Sequence, residues 1–256
     1  MNRIYKTGRE NPRFINRIGE IHTTDEDYKI TVIEHYDEYN CTIQFEDEIV
    51  LKNISYGSIK RGKVKHPYTP TVYGVGYMGL GKYTKWENGK ETKEYTKWKG
   101  MLRRFQDKKY LQKHITYREV SSDNDWHNFQ NFAKWFEENW KPWMDSSWHL
   151  DKDLLIKGNK IYSPETCCFI PQEINKLFTK NDKFRGDLPI GVSKVKGGFL
   201  AKHKRQLDIL DTPEEAFHAY KVGKELWIKE VADKWRGQIT EPCYEAMYAY
   251  EVEITD

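Results

Sequence analysis

The sequence predicts an α+β protein, and three observations carry that prediction. Short β-branched or aromatic runs separated by acidic turns fill the region from Gly19 to about Tyr83. Two segments between Lys90 and Trp140 repeat aromatic residues at helical spacing, and the last third reads as three short strands followed by one long amphipathic helix. At 256 residues the chain is longer than a usual single domain, so several small modules are expected. The composition shifts predict a small β-barrel-like module at 1–83, a central helical module at 84–182, and a three-stranded sheet with one packed helix at 183–256.

In the first module "YKITVIEHY", "CTIQF" and "EIVLKNI" read as strands, with "DEYN" as the hairpin turn before Cys41, giving a small barrel or curled sheet. Between Glu20 and Glu48 there are ten acidic residues and one basic residue, Lys29. Such a surface repels a phosphate backbone and suits a basic protein partner. "GVGYMG", residues 74–79, has the GxGxxG spacing of a dinucleotide site. It follows Pro67 and Pro70 and leads into "LGKYTKWENGK", without the strand before and helix after that such a site needs, so it reads as a glycine-rich turn.

In the central region "YTKWKGMLRR" sets Tyr95, Trp98, Met101 and Leu102 on one helical face and Lys97, Lys99 and Arg103 on the other. "DWHNFQNFAKWFEENW", residues 125–140, repeats the pattern with Trp126, Phe129, Phe132, Ala133 and Phe136, and Asp125 is the expected N-cap. Rings at this period belong to a core, whereas base-stacking platforms are exposed. In the last module "GVSKVKG", "GFLAKHKR" and "QLDILDT" form an expected meander that turns at Gly197-Gly198, its solvent side carrying the cations. Thr212, Pro213 and Glu215 then make a capping box that starts a helix whose apolar face runs from Ala216 to Trp235, with Gly237 at its end.

The net charge of +3 conceals segregation. Lys90 to Arg118 carries ten basic and three acidic residues, and Leu188 to Leu207 carries five basic residues and no acid. Runs of this kind suit phosphate backbones, and Lys97, Arg103, Arg104, Lys194, Lys196, Lys202, Lys204 and Arg205 are the expected contacts to double-stranded DNA. The four cysteines, Cys41, Cys167, Cys168 and Cys243, form no CxxC pair, so free thiols are expected in place of a zinc site. No run of about twenty apolar residues exists for a membrane span. The opening "MNRIYKTGRENPRF" has no apolar core of a signal peptide, and a cytoplasmic setting is expected.

Two stretches carry a resemblance. "GVSKVKGGFLAKHKRQLDILDTPEEAFHAY" resembles the APETALA-type DNA-binding domain, through Gly191-Val192, the strand "FLAK" and the helix start "DTPEEAFHAY"; the glycine usual in its third strand is replaced here by "LDILDT". The pairs Tyr95/Trp98/Met101/Arg104 and Trp126/Phe129/Asn131/Phe132/Trp135 are similar to helices that precede an HNH segment in phage and mobile-element homing endonucleases. "HLDKDLLIKGNKIYSPETCCFIPQEIN", residues 149–175, resembles a degenerate HNH segment of ββα form. The resemblance implies a bacterial host cell during phage infection as the setting, with virion association as an alternative.

It also implies a chemistry. Asp151 and Asn175 fall on the family's two metal-ligand positions, and both offer oxygen donors suited to Mg²⁺ or Mn²⁺. Lys152 stands where the family has its general-base histidine. A lysine with a reference pKa of about 10.4 is a poor base for activating water at neutral pH. His149, two residues before Asp151 on a strand, shares its face and is the alternative base. The expected function is therefore duplex DNA binding with impaired hydrolysis. The alternatives are a working metal-dependent endonuclease and a phage structural or host-takeover protein whose acidic module docks a protein partner.

Overall fold

A computed structural model describes residues 15–179, 187–203 and 206–254, and it is a mixed α and β structure. The chain divides into two compact units between Thr69 and Pro70.

The first unit is an antiparallel meander of β1 (Ile21–Thr23), β2 (Lys29–Asp37), β3 (Asn40–Phe45) and β4 (Val50–Ile54), followed by α1 (Tyr56–Lys60). Alternation along β2 and β3 buries Ile30, Val32, Cys41, Ile43 and Phe45 against Tyr56, Ile59 and Val64. Register shifts between Val32 and Glu34 and between His35 and Asp37 bend the sheet. It stays open: among the described residues β1 and β4 are edges that do not pair with each other, so the strands form a curled sheet and no closed barrel. The acidic turns are partly neutralised within the unit. Lys63 pairs with Asp25 at 2.5 Å, Lys65 with Glu26 at 2.6 Å, and His66 with Asp47 at 3.0 Å.

The second unit starts earlier than composition suggested. Residues 70–83 belong to it, because Val72, Val75, Met78 and Tyr83 pack on its core. Gly76 shows how closely: a Cβ there would lie 2.4 Å from Leu102 and 2.8 Å from the Trp98 ring. The small hairpin β5 (Trp86–Glu87) and β6 (Lys90–Glu91) leads into α2 (Lys93–Gln106), capped by Thr92, with Tyr95, Trp98, Met101 and Leu102 buried as their spacing predicts. Then come α3 (Lys108–Lys113), β7 (Ser121–Ser122) and α4 (Phe129–Asn139).

Helix α4 begins later than Asp125. The Tyr77 N–H donates to the His127 carbonyl, and the Phe129 N–H donates to the Tyr77 carbonyl, so a distant strand segment interrupts the helical hydrogen bonds there. Asn128 becomes the cap of α4, and Asp125 falls in a separate 3-10 turn capped by Asp123.

β8 (His149–Asp151) and β10 (Cys168–Ile170) form an antiparallel pair, β9 (Ile161–Tyr162) pairs in parallel with β7, and α5 (Gln172–Leu177) follows β10 at once. The last part is the meander β11 (Val192–Val195), β12 (Gly198–His203) and β13 (Gln206–Leu210), then α6 (Pro213–Trp235) and α7 (Glu241–Tyr248). The capping box forms as expected, with the Glu215 N–H on Thr212 Oγ1 and the Thr212 N–H on Glu215 Oε2, both at 3.2 Å. Gly191 enters the meander at φ +75°, where a Cβ would lie 2.1 Å from Tyr220.

Helix α6 serves two cores. Ala216 and Tyr220 back the meander with Val192 and Ala201, while Ile228, Val231 and Ala232 join the main core with α7. The segment after 183 is thereby continuous with the rest of the unit.

Candidate functional site

β8 is the centre of the candidate site. Its register pairs His149 with Ile170, Leu150 with Phe169 and Asp151 with Cys168. Leu150 and Phe169 point into the aromatic core, where Phe169 meets Trp135, Phe136 and Trp140 at ring distances of 5.0–5.4 Å. By strand alternation His149 and Asp151 share the other face.

Helix α2 seals the edge of β8 that has no strand beside it. Lys97 donates from Nζ to the Trp148 carbonyl, and Arg104 Nη1 donates to the Leu150 carbonyl at 3.2 Å and to the Tyr162 hydroxyl at 2.7 Å. Two residues expected on the DNA-facing side of the helix therefore hold the strand in place. Burial opposes the Arg104 charge, but Tyr162, Tyr117 and Tyr110 around it leave its pKa raised. The Lys97 pKa is lowered, first by burial and then by Arg104. Arg103 is the outward cation of this turn, 3.4 Å from Asp107 and over the Tyr110 ring at 5.3 Å.

His149 is half-buried, and its pKa is lowered by burial and by the charges of Lys97 and Arg104. It is thus held as a neutral imidazole at neutral pH. Asp151 accepts the backbone N–H groups of Asp153 at 3.0 Å and Leu154 at 2.8 Å through one oxygen, Oδ1. Burial and then Asp153 raise its pKa, against those two hydrogen bonds and Lys152. Oδ2 accepts no hydrogen bond among the described residues. Asn175 is half-buried on α5, which packs against β8; its backbone N–H donates to the Pro171 carbonyl, and its carbonyl accepts from Thr179.

Lys152 does not project toward solvent. It is 8 % exposed, pairs with Asp153 at 3.1 Å and lies 5.9 Å from the centre of the Tyr162 ring. Its ammonium is committed inside the loop after β8 and is not free to reach a phosphate.

A divalent ion fits this donor set in one respect. A carboxylate whose pKa is raised and one of whose oxygens is open gains from a cation, and Mg²⁺ commonly rests on one or two carboxylates plus substrate phosphates. Asp151 and Asn175 would hold it. Among the described residues no group of three or more His, Cys, Asp or Glu side chains is gathered for a metal. All four cysteines are free and buried, with the Cys167 thiol pushed up by burial to about 12.

The cations of the C-terminal meander are distributed differently from expectation. Lys194 stands in register with Phe199 and shares the face of Val192 and Ala201, which packs on α6. Lys196 lies in the turn, and Lys202 is on the opposite face, next to Leu200 and Ile209. All three are exposed, while Lys204 and Arg205 lie outside the described residues. The solvent side of this sheet is mixed and partly apolar, with Ile209 59 % exposed.

Sequence reasoning missed Tyr162, which joins Arg104 and Lys152 through "KIYSPET", a stretch without periodicity. It also missed Glu173, which receives Lys234 at 2.6 Å and the Trp235 indole N–H at 2.8 Å and so ties α5 to α6. Among the described residues no helix is long and apolar enough to cross a membrane. In comparisons with known proteins, no family model, curated protein or solved structure matches the chain.

Proposed function

We propose that this chain is a double-stranded DNA-binding protein built on the framework of an HNH homing endonuclease, with impaired catalysis. The finer reading of its second unit is a ββα element formed by β8, β10 and α5, followed by an APETALA-type sheet backed by α6. The observation that carries the binding half is the concentration of exposed cations in the second unit, Lys194, Lys196 and Lys202 among them, without matching acids along Leu188–Leu207. The impaired half is supported by Lys152, which occupies the base position of the resembled family and is buried on Asp153.

A working endonuclease is the second reading, favoured by the neutral His149 on the face of Asp151. A bound ion would polarise a phosphate and lower the pKa of its water; His149 would accept a proton from the attacking water, and Asp151 and Asn175 would hold the ion. Incubating supercoiled plasmid with the protein in Mg²⁺ or Mn²⁺, with EDTA and Asp151→Ala controls, separates the two. Salt-sensitive retardation without nicking is the expected result. Metal-dependent nicking that Asp151→Ala abolishes would replace the first reading by the second.

A further inference from the structure

The corner between α2 and α3 holds a second cationic surface of the second unit. From Arg103 to Arg118 there are six Lys or Arg residues and one acid, Asp107. Arg104 is turned inward onto Leu150 and Tyr162, whereas Lys108, Lys109, Lys113 and Arg118 are all exposed. Asp107 is already engaged. Its Oδ1 accepts the N–H groups of Lys109 at 2.9 Å and Tyr110 at 3.2 Å to cap α3, and its Oδ2 faces Arg103.

The four exposed cations make no ion pair among the described residues, and neither does Glu119, the next acid along the chain. Several other lysines of the second unit are paired: Lys82 with Glu137, Lys99 with Glu91, Lys221 with Glu225 and Lys234 with Glu173, at 2.6–2.9 Å. Four unpaired cations gathered within eleven residues leave a high positive potential available to an outside polyanion.

Ring contacts pack the corner and link it toward β8. Tyr110 stacks on His114 with ring centres 4.1 Å apart and meets Tyr117 edge-on at 5.7 Å, with Arg103 over its outer face. Tyr110 and Tyr117 lie within the electrostatic reach of Arg104, whose guanidinium holds the Leu150 carbonyl. Arg104 thus links this corner to the strand that carries His149 and Asp151.

We propose that the α2–α3 corner, through Lys108, Lys109, Lys113 and Arg118, is a binding surface for the phosphate backbone of duplex DNA, separate from the C-terminal sheet and contiguous with β8. This rests on the reading of the chain as a duplex-binding protein and adds where the backbone lies: across α3, leading to the candidate site.

The test is anisotropy of a labelled duplex titrated with full-length protein over a series of KCl concentrations. The proteins are wild type, Lys108→Gln/Lys109→Gln/Lys113→Gln, the corresponding triple Arg variant, and Lys194→Gln/Lys196→Gln/Lys202→Gln. For every phosphate that is no longer neutralised, the slope of log K against log salt falls by about 0.9. The α3 Gln variant is expected to show a slope smaller by about 2–3 and to bind more weakly at every salt, while the Arg variant keeps the wild-type slope. Thermal melting checks the fold; if the triple variant melts early, Lys109→Gln alone is expected to lower the slope by about 0.9. An unchanged slope in the α3 variants, with wild-type binding still salt-dependent and weakened by the sheet variant, overturns this surface and leaves the DNA-binding reading standing. A wild-type protein with no salt-dependent affinity overturns both.

Discussion

At Asp151 the carboxylate sits half-buried beside Asp153, and folding raises its pKa, so its ionised form opposes the fold at neutral pH. Its contribution to stability is greatest below its ordinary pKa of 3.8 and is lost as pH rises through the folded-state value. Asp151→Asn removes the charge and keeps an oxygen for the N–H groups of Asp153 and Leu154, so it should melt at or above wild type at pH 7. Asp151→Ala loses both hydrogen bonds and should cost about 1–2 kcal/mol. Mn²⁺ should raise the melting temperature of wild type and leave that of Asp151→Asn unchanged; an equal shift in both would remove Asp151 as a ligand. His149 has the opposite sign. Its folded pKa lies below the ordinary 6.5, so its contribution is present above pH 6.5 and lost as pH falls through the folded value. Wild type should therefore lose more stability than His149→Gln between pH 7 and pH 5, measured by urea unfolding. That His149 and Asp151 share one face of a strand was legible in the sequence because strand alternation is a local property. The burial of Lys152 was not, since it depends on Tyr162, ten residues away on another strand.

Among the elements, β8 depends on α2 for the partners that a third strand would otherwise supply. Arg104→Met would leave the Leu150 carbonyl and the Tyr162 hydroxyl without their donor, at a cost of about 2–3 kcal/mol. Arg103→Gln, on the exposed side of the same turn, should change stability by no more than about 0.5 kcal/mol. Comparable losses in both, measured by urea unfolding, would contradict the assignment of inward and outward sides. Helix α2 was readable because an apolar stripe at period 3.6 is written in its own residues. Its polar residues were not, because Lys97, Arg103 and Arg104 look alike in sequence and only the position of β8 divides them. β7 and β9 were invisible for a related reason: each is two residues long, and the pairing of Ser121 with Ile161 is nonlocal. The start of α4 was displaced by Tyr77, a contact no window around Asp125 contains.

For the whole molecule, the division at Thr69/Pro70 predicts two separable unfolding events. Ile43→Ala, in the core of the first unit, should cost about 2–5 kcal/mol in one transition and leave the other unchanged; a single transition that moves as one would contradict the division. The sequence reading placed the break at 83 because composition changes there, whereas packing of Val72, Val75 and Met78 places 70–83 in the second unit. It divided the second unit at 183 because an α6 that serves two cores gives no local sign of doing so. The charge runs were legible as runs, but their sidedness waited on register, which set Lys194 and Lys202 on opposite faces of one sheet. The proposed affinity of the second unit for duplex DNA rests on phosphate contacts. The most direct measurement is the affinity of the wild-type protein for a labelled duplex as a function of KCl concentration. If phosphate contacts carry the binding, log K falls linearly with log salt, by about 0.9 for each phosphate neutralised. Absence of binding at low salt, or binding that salt does not weaken, would contradict it.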